Sequence, residues 1–248
     1  DDSPACQFAT ANASGVAFNA VLEKSRVPQP KVAYHLMPLP RGAMSNLKAQ
    51  PVDTSPTAGH VVLEVRAVGI NFRDVLNVLG MYPGDPGPPG GDCSGVVVSC
   101  GSGVTSLRPG DAVFGLAGGS LGSHVQVAAP RMAAMPPNLS FESAATCPTV
   151  FITVDTAFRQ AAGCRPGERV LVHGAAGGVG LAAIQQAAAL GGVVVATAGG
   201  PNKRSLVRGM GVAHAFGSRD THYVSEIAET LGGVDIVLNS LTSSGFVS

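Results

Sequence analysis

Neither sign of charge is in excess in this chain. Its 16 basic and 16 acidic side chains cancel, which removes the electrostatic case for nucleic acid or an anionic membrane as a partner. No apolar run reaches membrane-spanning length; the longest, Val193 to Ala198, reads as a buried strand. The amino terminus, DDSPACQFATANASG, lacks the basic start and apolar stretch of a signal peptide. The five cysteines are an odd number without a CxxC pair, which argues against a disulfide framework and a structural zinc site. The expectation is a reducing, cytoplasmic setting. None of the six histidines stands in an HExxH or similar ligand spacing. What the chain has in quantity is turn chemistry, with 33 Gly and 18 Pro against 13% charged residues, as suits many turns around a well-buried core.

Residues 1–30 are small, polar and proline-punctuated, and read as a linker or leader. From Val61, VVLEVRAVGI alternates as a half-buried strand. Asn71 to Leu79 has helical spacing and stops at Gly80, and MYPGDPGPPGGD is loop. Short strands follow at 95–98, 112–114 and 124–127, so residues 31–140 read as a small barrel-like module. Beyond Phe141 the rhythm changes. A helical stretch to Gln160 is interrupted near Pro148, and then strands at 170–172, 193–197, 213–216 and 234–239 alternate with helices at 178–190, 202–210 and 224–231. Such alternation means βαβ units and a parallel sheet over 141–248. A complete dinucleotide-binding sheet has about six strands and about four count out here, so an abbreviated or truncated Rossmann sheet is expected, with truncation favoured.

The stretch ERVLVHGAAGGVGLAAIQQ, from Glu168, carries the most chemistry. An apolar strand breaks into a glycine-rich turn that opens an alanine-rich helix, the arrangement that offers backbone N–H groups to a pyrophosphate. Ala175, Ala176, Gly177, Gly178, Val179 and Gly180 fit the fingerprint with alanine at its first glycine. Gly177 would admit the pyrophosphate and Gly180 would let helix pack on strand. After the second strand, Thr197-Ala198-Gly199-Gly200 offers no acid for ribose hydroxyls, whereas Lys203 and Arg204 follow at once. Two cations suit an adenosine 2′-phosphate, hence NADPH, and Arg219 is a third candidate; the alternative is that they are solvated on the first helical turn. A short-chain dehydrogenase is excluded: four residues after Tyr34, Tyr82 and Tyr223 stand Pro38, Pro86 and Ile227, not lysine. The segment Gly90-Gly91-Asp92-Cys93 supplies no His-Glu pair for a catalytic zinc, so no metal is expected.

Several motifs in order now carry a resemblance. Asn71-Phe72-Arg73-Asp74-Val75-Leu76, Leu79-Gly80-Met81-Tyr82-Pro83-Gly84 and Gly90-Gly91-Asp92-Cys93-Ser94-Gly95 closely resemble the enoyl reductase domain of polyketide synthases. So do His173 to Gly180, Ser218-Arg219-Asp220 and Val237-Leu238-Asn239-Ser240-Leu241, which also resemble the related fatty acid synthase reductase. The resemblance implies a zinc-independent medium-chain reductase, α/β in class, with a GroES-like barrel-type catalytic domain before the Rossmann cofactor domain. It implies NADPH-dependent reduction of a trans-2-enoyl thioester on acyl carrier protein, among neighbouring megasynthase domains. Asn71, Asp74 and Thr149 would line the nicotinamide side, Asn239 and Ser240 would approach the cofactor, and Tyr82 would donate the α-carbon proton. Asn71 and Asp74 also read as capping residues of their helix, and Tyr82 as packing over its loop. The lysine and aspartate that the family offers as other proton donors would fall beyond Ser248. A free-standing quinone oxidoreductase and a non-catalytic scaffold domain are the competing readings.

Overall fold

The computed structural model describes the backbone of residues 7–11 and 17–21, and residues 32–240 except 220. The chain divides into two compact units, Asp1–Val32 and Ala33–Ser248. In the first, β1 (Gln7–Ala11) pairs antiparallel with β2 (Ala17–Val21), Phe8 standing opposite Ala20. The expectation of a linker over 1–30 is therefore corrected for these two segments, whose small apolar residues do not follow the strict alternation that marks a strand. The rest of that stretch lies outside the described residues, as do Asp220 and Leu241 of the motifs above.

In the second unit, β3 (Tyr34–Pro38) and β4 (Leu47–Pro51) form an antiparallel pair. A five-stranded antiparallel sheet follows, made of β5 (His60–Gly69), β6 (Asp92–Cys100), β7 (Ala112–Leu116), β8 (His124–Ala128) and β9 (Met132–Ala134), in the order β8-β5-β6-β7-β9. Strands β3, β4 and β9 escape the sequence reading because each is only three to five residues long. The inward side chains Val61, Leu63, Val97, Val113, Val125 and Val127 make one core. Register shifts near Val62 and Val65 bend the β5–β6 pair, as bulges do. Helix α1 (Phe72–Val78) leaves the end of β5. Helix α2 (Phe141–Ala145) lies on β5 and β6, where Gly69 must lack a side chain because a Cβ would strike the Ala145 carbonyl.

Helix α3 (Pro148–Asp155) continues into a π-helical turn, Thr156–Ala162, ended by Gly163 in the left-handed conformation (φ 62°). Then β10 (Arg169–Val172), α4 (Gly178–Ala189), β11 (Val193–Ala198), α5 (Pro201–Gly209), β12 (His214–Gly217), α6 (Tyr223–Leu231) and β13 (Ile236–Leu238) alternate. The strands are parallel in the order β12-β11-β10-β13. Along β10, Val170 and Val172 face the core of Phe158, Ile184 and Val207, while Leu171 faces that of Val195, Tyr223 and Ile227. The period of two thus buries both faces, which is why the strand reads as a continuous apolar run. The strand order reverses between β10 and β13, which stay parallel, and ligands bind at such switch points, beyond the carboxyl ends of the strands.

Candidate functional site

The glycine turn sits at that switch point. Gly174 takes a positive φ (59°), and the Gly177 N–H closes the turn on the Gly174 carbonyl at 2.8 Å. Gly177 caps α4 without a side-chain acceptor, so the first N–H groups of the helix receive nothing from a cap. Gly177 and Gly178 are exposed, Ala176 and Val179 are half-buried, and Ala175 and Gly180 are buried. A Cβ on Gly180 would lie 2.5 Å from the Ala175 Cα and the Gly174 carbonyl oxygen; only glycine lets α4 approach this closely. Asn239 and Ser240 follow β13 directly, since the strand ends at Leu238, one residue earlier than expected. The Ser240 hydroxyl donates to the His173 carbonyl at 3.3 Å, across the turn. His173 is buried, its Nδ1 2.9 Å from the Thr197 hydroxyl and its ring edge-on to Tyr223. Burial pushes its pKa below the usual 6.5, because a charged imidazolium there would lose its hydration.

Along residues 213–217, at the edge strand β12, lies a cavity of ≈ 580 Å³ lined by Arg204, Arg208 and Arg219, with Glu226 the one acid on its wall among the described residues. Each guanidinium is tethered to a backbone carbonyl: Arg204 to Ala198 (3.3 Å), Arg208 to Ala215 (2.9 Å) and Arg219 to Gly199 (3.0 Å). Lys203 is exposed and stands outside this wall. Arg208 has no place in the sequence reading. It lies four residues, one helical turn, beyond Arg204, and that spacing on α5 is the signal that marks it.

The other half of the site is a cavity of ≈ 460 Å³ lined by Arg73, Asp74, Gly90, Gly91, Arg131 and Thr149, among others. Asn71 and Asp74 form a capping box at the start of α1. The Asn71 N–H donates to Asp74 Oδ2 at 2.9 Å, while Asp74 Oδ1 accepts from the Gly90 N–H at 2.8 Å. Both Asp74 oxygens thus have backbone donors, tying the glycine-rich loop to the helix. Asp92, buried at the head of β6, collects the remaining groups: Asn71 Nδ2 at 3.0 Å, the Thr149 hydroxyl at 2.6 Å and the Thr149 N–H at 3.2 Å. Asn71 and Thr149, far apart in the sequence, are brought together by Asp92, which the motifs alone do not single out. Its position beside the glycine pair is the only cue. Tyr82 is half-buried, with the Arg73 guanidinium 5.2 Å from its ring centre, and is not one of the residues lining this cavity. Cys93, next to Asp92, is inert: burial pushes its thiol up to about 12, against the opposing Ser120 hydroxyl. Among the described residues, no cluster of three or more His, Cys, Asp or Glu has the arrangement of a metal site, and no helix is long and apolar enough to cross a membrane.

Residues 57–137 match the family described as the alcohol dehydrogenase GroES-like domain, and residues 178–247 match that described as zinc-binding dehydrogenase. The spectinabilin polyketide synthase system protein NorB of Streptomyces orinoci is 46% identical over 229 residues, 90% of this chain and 10% of that protein. This chain therefore spans a small part of the curated relative it matches. The crystal structure of CurK enoyl reductase superposes with a TM-score of 0.81 at 36% identity, over 86% of this chain and 68% of that one. The apo form of JamJ enoyl reductase gives 0.78 at 33% identity, over 87% and 69%.

Proposed function

The chain belongs to the enoyl reductases of polyketide synthases, within the medium-chain dehydrogenase/reductase superfamily, and on that premise we propose that it reduces a trans-2-enoyl thioester with NADPH. Membership in this superfamily implies a nicotinamide cofactor; the preference for NADPH is the finer part of the proposal. One observation carries it: the guanidiniums of Arg204 and Arg219 are tethered to the Ala198 and Gly199 carbonyls at the end of β11, where an NAD-specific site holds an acid, and Arg208 lines the same cavity further along β12.

NADPH, when bound, supplies hydride to the β-carbon of the enoyl group. The residues of the chain do the rest. The turn from Ala175 to Gly180 fits a pyrophosphate, because its exposed glycines admit close approach and the uncapped N–H groups of α4 point outward. Arg204, Arg208 and Arg219 hold the 2′-phosphate, with Lys203 contributing from solvent. Asn71 and Thr149 would lie on the nicotinamide side, and Asn239 and Ser240 would border the cofactor beyond β13. Asp74 acts through the Asn71 cap and the Gly90 loop. Tyr82, its ring beneath the Arg73 guanidinium, would deliver the proton to the α-carbon. The thioester arrives on an acyl carrier protein, and the chain works among neighbouring megasynthase domains.

Mixing the protein with NADPH and a trans-2-enoyl pantetheine thioester should consume NADPH and yield the saturated thioester. Turnover of quinones with none of enoyl thioesters, in folded protein, would overturn the proposal.

A further inference from the structure

The contacts of Asp92 fix more than the position of its neighbours. The side chain is 2% exposed and accepts from Asn71 Nδ2, from the Thr149 N–H and from the Thr149 hydroxyl. A carboxylate has no proton to give. The hydrogen of the Thr149 hydroxyl must therefore lie on the 2.6 Å line to Asp92 Oδ1. What Thr149 turns toward the ≈ 460 Å³ cavity is a lone pair, not a donor. Asn71 is oriented by the same logic. A carboxylate only accepts, so the amide nitrogen, and not the amide oxygen, must be the atom that meets Asp92 Oδ2 at 3.0 Å. Neither side chain can flip without setting acceptor against acceptor in a buried place, a loss of about 1–3 kcal/mol.

We propose that Asp92 is a positioning residue that locks the Thr149 hydroxyl as a hydrogen-bond acceptor, so that this cavity selects a cofactor bearing a primary carboxamide by its N–H₂ group. This rests on the nicotinamide cofactor reading above and adds to it what the site recognises. A ring with a carboxamide finds an acceptor for its amide hydrogen. A ring carrying an acetyl group in its place offers only a carbonyl, which meets the Thr149 lone pair with no hydrogen between them. The discrimination is a property of hydrogen placement, and Asp92 sets it without touching the cofactor.

The test compares binding, by calorimetry on the full chain, of NADPH and its 3-acetylpyridine analogue. The wild-type protein should bind NADPH about tenfold more tightly, the value of one well-made hydrogen bond. In Asp92→Ala the hydroxyl is free to rotate and donate to the carbonyl that both rings share, so the ratio should fall to about one to three. In Asp92→Glu the carboxylate is retained, and most of the preference should return. A purely structural role would weaken both ligands together and leave the ratio alone. Thr149→Val removes the acceptor itself and should abolish the preference whether or not Asp92→Ala folds. A ratio unchanged in either Asp92→Ala or Thr149→Val, or a wild-type protein that binds both ligands equally, would overturn the inference. Folded wild-type protein that binds neither would overturn the cofactor reading on which it stands.

Discussion

Replacing Arg204, Arg208 or Arg219 by alanine should weaken NADPH and leave NADH nearly untouched, and Lys203→Ala should do far less. The magnitude follows from the geometry at the end of β11 and along β12. Each arginine uses one donor on a backbone carbonyl, which leaves about four N–H groups of each guanidinium for a ligand. A phosphate about 4 Å from such a cation gains about 1–4 kcal/mol, depending on the effective dielectric. The cavity is open and Arg208 and Arg219 are exposed, so solvent and salt place the value near the lower end. Each single substitution should therefore cost about five- to thirtyfold in NADPH affinity, and NADH should change by less than about twofold. Arg204 is the most buried of the three and should show the largest loss. Glu226, the acid on the same wall, opposes the phosphate, so Glu226→Gln should tighten NADPH modestly. Titration calorimetry with both cofactors, at low and at high salt, measures all of this, and the difference between cofactors should shrink as salt rises. Equal losses for NADPH and NADH, or a Lys203→Ala effect as large as that of Arg204→Ala, would refute the reasoning.

Gly180→Ala should destabilise the protein by about 1–3 kcal/mol, since its Cβ would stand 2.5 Å from the Ala175 Cα. Gly209→Ala at the end of α5, where nothing lies within 4 Å, should instead stabilise by about 0.5–1 kcal/mol; urea unfolding distinguishes the two, and equal effects would contradict the packing. Burial lowers the His173 pKa from 6.5 in the unfolded chain, so the unfolded state binds the extra proton first. The stability this neutral imidazole contributes is complete above pH 6.5 and is lost as the pH falls below it toward the depressed folded value. Unfolding midpoints of His173→Asn should therefore fall less steeply than wild type on acidification from pH 6.5, and parallel curves would sink the argument. The Cys93 thiol, held near 12, should resist iodoacetamide at pH 8 in the native protein and react once the chain is unfolded, as followed by mass spectrometry. Rapid native labelling at Cys93 would be inconsistent with its burial.

Much of the cofactor half is legible in the sequence because its determinants are local. The apolar run of β10, the turn and the start of α4 lie within a dozen residues, so their pattern is written consecutively, and Gly180 reads correctly as the residue that lets helix meet strand. The capping box of Asn71 and Asp74 is likewise an interaction over three residues, as capping boxes are. Less is legible where partners are distant. Strands β3 and β4 escape notice because five residues are too few to show a period, and the bridge from His35 to Gly122 leaves no local trace. Lys203 and Arg204 read as an adjacent pair, yet neighbours on a helix point about 100° apart. Arg204 and Arg208, one turn apart, reach the same cavity while Lys203 does not.

The sequence by itself determined the class of fold, the place of the dinucleotide turn and the family, because βαβ alternation, glycine spacing and an ordered series of motifs are all linear information. Only the tertiary structure decided what surrounds the reacting end of the cofactor site. Asp92 stands 21 residues from Asn71 and 57 from Thr149, and it becomes their common acceptor only when β6, α1 and α3 converge. A hydrogen bond depends on distance and direction in space and carries no trace of separation along the chain. The residue that orients the site is for that reason one whose sequence neighbourhood, a glycine pair and an inert cysteine, says little about it.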